Sequence, residues 1–252
     1  MNLVPLGDQA VLAYLPDEPA AVRFAAAVRT AAPGWLQDVV PAYASVGVFF
    51  DADRATLGDV TAWLEHAGRA GDRTVPAVAA DSRRAHVLPV CYEMAPDLPL
   101  VREHTGLAAD EVIRLHTGTE YTVYAVGFVP GFPYLGYLPP ELCGVGRLPT
   151  PRLRVEAGSV GLTGRQTGLY PLPRPGGWNL IGRTPLTVVD VADGFFPLRV
   201  GDAVRFERID ETRYRELEGE RLGGSAIEVR NAECGIEDRP PSLFRTPHSN
   251  RQ

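Results

Sequence analysis

The stretch GSVGLTGRQTGLYPLPRPGGWNLIGRTP, residues 158–185, decides the fold class of this chain. Short strand-like runs alternate in it with glycine and proline turns, and seven glycines fall within it. Similar runs continue through most of residues 86–210, with one or two helices near the start. Many short strands with glycine-rich turns and few helices are typical of a closed β-barrel. We therefore expect a mainly-β barrel domain over residues 86–210.

The first 85 residues alternate strand-like and helix-like segments. LVPLGDQAVLAYL and VVPAYASVGVFFD have strand character, while EPAAVRFAAAVRTA has the apolar spacing of a helix. A second helix is predicted after Asp51 or Asp53, its candidate N-caps. We expect a small α+β sandwich of the ferredoxin-like type over residues 1–85, with a polar linker from about residue 71. Residues 211–252 are expected to form a polar, partly disordered tail.

Charge and composition argue against several classes of partner. The formal net charge of −6 argues against nucleic acid, because phosphate binding needs clustered positive charge. No apolar run approaches the ~18 residues of a membrane helix, and the N-terminus contains acids that a signal peptide lacks. We therefore expect a cytoplasmic protein that does not contact membranes. The three cysteines are widely separated and the five histidines lack ligand spacing, so we expect no metal site.

All 25 basic residues are arginine, and the chain contains no lysine. The absence removes a P-loop lysine, a Schiff-base lysine and an attachment lysine for biotin or lipoate. Any ATP or biotin chemistry in which this protein takes part therefore needs those groups from other chains.

Three long motifs occur in a fixed order along the second half of the chain. They are GFVPGFPYLGYLP at residues 127–139, PTPRLRVEAGSVGLTGRQTGLYPL at 149–172 and PGGWNLIGRTPL at 175–186. Together they closely resemble the family of the 5-oxoprolinase B subunit, which also includes allophanate hydrolase subunit 1 and the kinase inhibitor KipI. With the shorter matches VVPAY, EVIRLHT and GDAVRF, the resemblance covers roughly residues 1–210.

The resemblance implies a ferredoxin-like domain followed by a cyclophilin-like barrel. It also implies a subunit of an ATP-dependent 5-oxoprolinase, which opens 5-oxoproline to glutamate. Such a subunit works with a homologous barrel subunit and a third chain, and is expected to be inactive alone. The sequence does not identify the chain that binds ATP. Two alternatives stay open: a regulatory protein that inhibits a sensor histidine kinase, and one half of an allophanate or urea carboxyl-transfer enzyme.

The stretch GFVPGFPYLG, residues 127–136, has the composition of a rigid loop. Glycine permits positive φ, proline fixes φ, and aromatic rings need burial or a ligand. We predict a sharp turn at the barrel rim, stiffened by Pro130 and Pro133, whose rings wall a groove or a subunit contact. In PGGW, two glycines should bring the backbone close to another group that Trp178 covers. The predicted loop-backbone residues are Gly127, Gly131, Gly158, Gly161, Gly176 and Gly177.

The candidate catalytic residues are His116 and Arg183. His116 follows Val112 and Ile113 by one helical turn, so it should lie at the edge of a buried face. It could transfer protons there, or be a histidine that is hydrogen-bonded in the barrel wall. Arg183 and Arg152 have Gly or Pro close by, which favours fixed guanidinium groups that bind anions. The alternative is an internal salt bridge that holds the loops.

The remaining candidates would bind the substrate. Gln166 and Thr167 can donate to a carbonyl or carboxylate, or simply bond along a strand edge, and the aromatic residues can equally be core. Ser159 is not expected to be a nucleophile, because AGSVG lacks the first glycine of a nucleophile elbow and strands are predicted on both sides. The predicted substrate-binding residues are Phe132, Tyr134, Arg152, Gln166, Thr167, Trp178 and Thr184.

Two segments depart from the pattern of the family. Residues 91–98 read CYEMAPDL, where relatives have a longer segment with a glycine pair, and Glu156 replaces a usual proline. If the glycine-pair loop contacts substrate, the departure bears directly on whether this chain is active.

Overall fold

The computed structural model of the chain describes residues 1–71 and 84–223. Most of the predicted linker, and the predicted tail from residue 224 onward, lie outside these described residues. An α+β unit precedes the gap, and a β-barrel follows it.

The first unit is a four-stranded antiparallel sheet with two helices. Its elements are β1 (Asn2–Pro5), β2 (Ala10–Tyr14), α1 (Glu18–Ala31), β3 (Leu36–Ala42), β4 (Ser45–Phe50) and α2 (Leu57–Gly71). The strand order is β1-β2-β4-β3. Apolar residues from the sheet and from both helices, among them Val48, Phe24 and Leu64, form its core.

The α+β sandwich is present, but the ferredoxin-like topology is not confirmed. In a ferredoxin-like unit a strand follows the second helix and returns to the sheet. Here β1, which precedes both helices, occupies the edge position beside β2. The first strand pair therefore completes the sheet.

The start of α2 differs from the prediction. Asp51 and Asp53 lie in the preceding turn, where the Asp51 carboxylate accepts a bond from the Asp53 N–H at 3.0 Å. The residue next to the helix is Thr56, whose hydroxyl accepts from the Asp59 N–H at 3.2 Å. The Asp59 carboxylate in turn accepts from the Thr56 N–H at 3.1 Å. This reciprocal capping arrangement satisfies two backbone donors, so the helix begins after Thr56.

The second unit confirms the predicted closed barrel. Its seven strands are β5 (Ala85–Cys91), β6 (Glu120–Val126), β7 (Pro133–Gly136), β9 (Ser159–Thr163), β10 (Gln166–Leu169), β12 (Asn179–Arg183) and β13 (Ala203–Ile209). They close in the order β10-β7-β6-β13-β5-β12-β9. Helices α3 (Leu98–Thr105) and α4 (Ala109–Thr117) lie between β5 and β6. Strands β8 (Arg152–Val155) and β11 (Arg174–Gly176) form a separate two-stranded ribbon.

The barrel unit extends beyond the predicted domain end at residue 210. Helix α5 (Glu211–Leu217) follows β13 directly. Tyr214, Leu217 and Leu222 are buried, and the latter two belong to the barrel core. Residues 211–223, assigned from sequence to a polar tail, are thus packed structure. Within the two described segments, no helix combines the length and the apolar character needed to cross a bilayer.

Candidate functional site

An aromatic cluster brings together three of the predicted substrate-binding residues. The ring centroid of Phe132 lies 4.9 Å from that of Tyr134 and 5.5 Å from that of Trp178. Tyr170, which was not predicted from the sequence, lies 5.2 Å from Phe132. Phe128 lies 5.5 Å from Phe132 and remains 59% exposed. The cluster therefore has a buried base and an accessible aromatic edge.

Two glycines allow this cluster to lie directly on the backbone. A Cβ on Gly161 would stand 3.2 Å from the Trp178 Cβ. The absence of a side chain at Gly161 therefore lets Trp178 pack closely against the strand. A Cβ on Gly176 would stand 2.4 Å from the Tyr170 hydroxyl oxygen. The expected close approach in PGGW is therefore present at Gly176, and the group that it approaches is Tyr170.

The other predicted loop glycines have different roles. Gly131 and Gly158 adopt positive φ angles of 74° and 82°. A Cβ on Gly158 would also stand 2.4 Å from the carbonyl oxygen of Thr184, a buried residue. Of the residues that the structure describes, none lies within 4 Å of such a Cβ on Gly127, and Gly177 has only ordinary contacts. Gly131 thus forms the sharp turn of the loop, while Gly158 holds a close approach between two loops.

Arg152 forms a salt bridge beside the aromatic cluster. Its Nη2 lies 2.5 Å from Oδ1 of Asp97, whose side chain is buried. Oδ2 of Asp97 accepts the Leu180 N–H at 2.7 Å, and the Asp97 N–H donates to the Leu180 carbonyl at 3.1 Å. The internal salt bridge weighed for Arg152 is therefore present, and its binding role stays a prediction. Its Nη1 is nevertheless buried without a hydrogen-bond partner in the described part of the chain.

Asp97 was missed because its local signal pointed elsewhere. It precedes α3 and a proline, which is the usual setting of an N-cap aspartate. Its side chain makes no capping bond and turns inward instead. The residue belongs to CYEMAPDL, so the segment that departs from the family pattern supplies a buried partner for a family-motif arginine.

Arg147 is a second cation near the cluster that sequence reasoning missed. Asn179 Nδ2 donates to the Gly146 carbonyl at 2.7 Å, and the Leu148 N–H donates to the Gly177 carbonyl at 2.7 Å. These bonds fix the backbone on both sides of Arg147 against PGGW. Arg147 itself is exposed and forms no hydrogen bond or ion pair within residues 1–71 and 84–223.

The positive charges of Arg147 and Arg152 act on the tyrosine hydroxyls of the cluster. Burial raises the pKa of Tyr170, while the backbone of Trp178 and the charges of Arg147 and Arg152 act in the opposite direction. Burial also raises the pKa of Tyr134, and Arg147 again opposes the rise. Both phenols are therefore neutral at physiological pH and can serve as hydrogen-bond donors.

His116 lies inside the barrel and not at this site. The Tyr92 hydroxyl lies 2.7 Å from its Nδ1, and Thr167 Oγ1 lies 2.9 Å from its Nε2. Thr167 donates to the Gly161 carbonyl at 3.1 Å, so Nε2–H donates to Thr167 and the Tyr92 hydroxyl donates to Nδ1. The imidazole stacks on Phe206 at 4.5 Å. Burial lowers the pKa of His116 to about 3. This enclosed, neutral imidazole favours the structural interpretation over proton transfer.

Arg183 lies at the end of β12, apart from the cluster. Its Nε donates to the Ala157 carbonyl at 3.0 Å, and it has no ion pair within the described segments. Glu156, the second departure from the family pattern, pairs with Arg154 at 2.7 Å. Ser159 begins a strand and faces Arg183 in the ladder, so the strand-turn-helix setting of a nucleophile elbow is absent there. Arg183 therefore retains two terminal amino groups that can bind an anion.

The other predicted binding residues point to structural contacts. Gln166 is half-buried at the start of β10, facing Gly136 and Thr163 in the ladder. Thr184 is buried, and its hydroxyl accepts a backbone N–H two residues further on at 3.3 Å. Within the described residues, no group of three or more His, Cys, Asp or Glu side chains could hold a metal ion.

The fold and the cluster belong to a known class of domain. The family model described as "Carboxyltransferase domain, subdomain C and D" matches residues 1–194, which include every motif that builds the aromatic cluster. The chain is 39% identical over 199 residues to the 5-oxoprolinase B subunit of Bacillus subtilis, covering 75% of this chain and 81% of the relative. It is 35% identical over 215 residues to the Haemophilus influenzae protein of the same name, covering 82% and 97%. The chain therefore belongs to the family of the 5-oxoprolinase B subunit.

Solved structures agree with this assignment. The crystal structure of TTHA0988 superposes with a TM-score of 0.69 at 36% identity, covering 80% of this chain. This chain spans only 40% of the TTHA0988 chain. The Kluyveromyces lactis urea carboxylase superposes with a TM-score of 0.64 at 15% identity, over 87% of this chain and 23% of that one. At that identity the likeness shows the fold alone.

Proposed function

We propose that the chain is one subunit of an ATP-dependent 5-oxoprolinase that converts 5-oxoproline, ATP and water to glutamate, ADP and phosphate. The observation that carries the proposal is the identity to two 5-oxoprolinase subunits of the B type over 75% and 82% of this chain. The active assembly would include a homologous barrel subunit and a third chain. This chain would be inactive alone.

The chemistry explains why several chains would be needed. The lactam carbonyl is a poor electrophile, and phosphorylating its oxygen would make attack by water and cleavage of the C–N bond feasible. Such a step needs cations around the phosphoryl group and preorganised donors around the developing charge. This chain has no lysine, and its guanidinium groups suit binding and orientation of anions. We therefore assign to it the binding of substrate at an interface, with ATP bound by or shared with other chains.

A second candidate function is one half of a carboxyl-transfer enzyme. The name of the matching family model favours this candidate, since it describes a carboxyltransferase domain. Because the chain lacks lysine, biotin would be carried by another chain. Inhibition of a sensor histidine kinase stays a prediction of the family resemblance alone.

The test is reconstitution with omission. The chain is co-expressed with its homologous barrel partner and the third subunit, and ATP-dependent glutamate release from 5-oxoproline is measured with each chain omitted in turn. Activity that needs this chain supports the proposal. A stable complex that carries out no turnover of 5-oxoproline, but transfers a carboxyl group to urea in the presence of a biotin-dependent carboxylase, would favour the second function.

A further inference from the structure

Several backbone contacts gather polar groups around the loop PGGW, residues 175–178. Arg152 is the ladder partner of Gly176 across the β8–β11 ribbon. The Leu148 N–H donates to the Gly177 carbonyl at 2.7 Å, which sets the backbone of Arg147 beside the same loop. The Tyr170 hydroxyl lies directly under Gly176. Arg152, the backbone of Arg147 and the Tyr170 phenol therefore lie around one short stretch of backbone, and the charges of both arginines act on Tyr170.

These groups have unused hydrogen-bonding capacity. Among the described residues Arg152 Nη1 is buried without a hydrogen-bond partner, although Nη2 of the same guanidinium is bound to Asp97. A buried donor without an acceptor carries an uncompensated desolvation cost, so an acceptor that enters beside it is favoured. Arg147 likewise makes no hydrogen bond or ion pair with another residue in the described part of the chain.

The local charge selects the kind of acceptor. Asp97 neutralises one of the two guanidinium groups, so Arg147, Arg152 and Asp97 together carry +2 − 1 = +1. A singly charged carboxylate matches this charge, whereas a phosphate of charge near −2 would leave an uncompensated negative charge. The aromatic edge beside the cations, formed by half-buried Tyr134 and by Phe128 at 59% exposure, offers an apolar surface for a small ring.

We propose that Arg147 and Arg152 Nη1, next to the aromatic edge of Tyr134 and Phe128, form a subsite for the carboxylate of a small cyclic monocarboxylic acid. The identification of that acid as 5-oxoproline rests on the proposed function. In this arrangement the carboxylate is held at PGGW and the lactam ring lies along the aromatic edge. The lactam carbonyl is thereby presented away from the subsite, toward the chain that supplies the phosphoryl group.

The experiment measures ligand binding directly, and turnover of 5-oxoproline by the assembled complex with ATP is measured separately. Isothermal titration calorimetry is run on the full chain and on the assembled complex without ATP, using 5-oxoproline and 2-pyrrolidinone, which has the same ring and no carboxylate. Arg147→Gln is the main variant, because Arg147 is exposed and its loss leaves no buried partner unpaired within residues 1–71 and 84–223. Arg154→Gln is the matched control, since it removes the same charge from the neighbouring ribbon strand.

The expected result is a Kd for 5-oxoproline that rises at least tenfold in Arg147→Gln and stays within twofold in Arg154→Gln. Weaker binding of 2-pyrrolidinone by the wild type, unchanged by Arg147→Gln, is also expected. Equal binding of both ligands, an unchanged Kd in Arg147→Gln, or no binding to either preparation would overturn the subsite. A complex that turns over 5-oxoproline with an unaltered KM in Arg147→Gln would overturn the subsite and leave the proposed function standing. Carboxylate-dependent binding without any turnover would support the subsite and contradict the proposed function.

Discussion

Nε2 of His116 lies 2.9 Å from Oγ1 of Thr167, which joins α4 to strand β10 across 51 residues of sequence. The Thr167 hydroxyl in turn donates a hydrogen bond to the Gly161 carbonyl. Gly161 packs against Trp178 on the opposite face of the barrel wall. The buried histidine thus supports, from inside the barrel, the strands on which the aromatic cluster rests. Its contribution to function is through the shape of that wall.

The burial of His116 predicts a pH dependence of stability. Its pKa falls to about 3 in the folded chain, from 6.5. Below pH 6.5 the unfolded chain therefore binds a proton that the folded chain does not, and the free energy of unfolding falls by about 1.4 kcal/mol per pH unit. The contribution is fully present above pH 6.5. Urea unfolding between pH 7.5 and 5 measures the slope. A His116→Gln variant should show a flatter profile, and an equal slope in both proteins would contradict the assignment.

Removal of two buried tyrosine hydroxyls should have different effects on the stability of the protein. The Tyr43 hydroxyl is buried without a hydrogen-bond partner among the described residues, so Tyr43→Phe should leave stability unchanged or raise it by about 1 kcal/mol. The Tyr92 hydroxyl bonds His116, so Tyr92→Phe orphans Nδ1 and should cost about 1–3 kcal/mol. Urea midpoints of the two variants give the comparison. A larger loss in Tyr43→Phe than in Tyr92→Phe would show that the hydroxyl assignments are wrong.

The ion pair of Arg152 and Asp97 should be costly to break. Arg152→Met leaves the buried Asp97 carboxylate without its cation, and we expect a loss of about 3–5 kcal/mol in the free energy of unfolding, measured by urea denaturation. Arg154→Met removes an exposed pair with Glu156 on the same strand and should cost less than about 1 kcal/mol. Equal losses in the two variants would mean that Asp97 is solvated in solution.

Arg183 has a separate predicted role in the assembly. Arg183→Ala should abolish glutamate release while the subunits stay associated, because its terminal guanidinium nitrogens have no partner in the described part of the chain and can bind an anion. Size-exclusion chromatography of the complex checks association independently of activity. Full activity in the variant would remove the anion-binding role. Arg174→Ala, which changes another exposed arginine between the second and third motifs, is the control.

The sequence predicted the features that local chemistry determines. The glycine and proline turns between short strand-like runs predicted the closed barrel, because turn residues determine structure over a few positions. Helix α5 was missed because its charged residues hide the two buried positions, Tyr214 and Leu217, and a seven-residue helix has little periodicity. The N-cap of α2 was misplaced because Asp51 and Asp53 fit a cap as well as Thr56 does until the turn is known.

Long-range partners account for most of what the sequence left undetermined in the site. Arg152 and Asp97 are 55 residues apart, and only the folded barrel brings them together. Arg147 carries no motif signal of its own, and its position follows from the bonds that Gly146 and Leu148 make with the loop around Trp178. The three predicted aromatic residues lie together in the fold, while their binding role stays a prediction, and their mutual packing depends on strand register.

The measurement that most directly tests the central claim is a titration of this chain into fixed amounts of the other two subunits, with 5-oxoproline and ATP in excess. We predict no glutamate release without the chain, a linear rise with added chain, and a plateau at a fixed stoichiometric ratio. ADP should form in equal amount to glutamate. Glutamate release that is independent of the added chain, or no release at any ratio from a complex that has assembled, would contradict the claim that this protein is a working 5-oxoprolinase subunit.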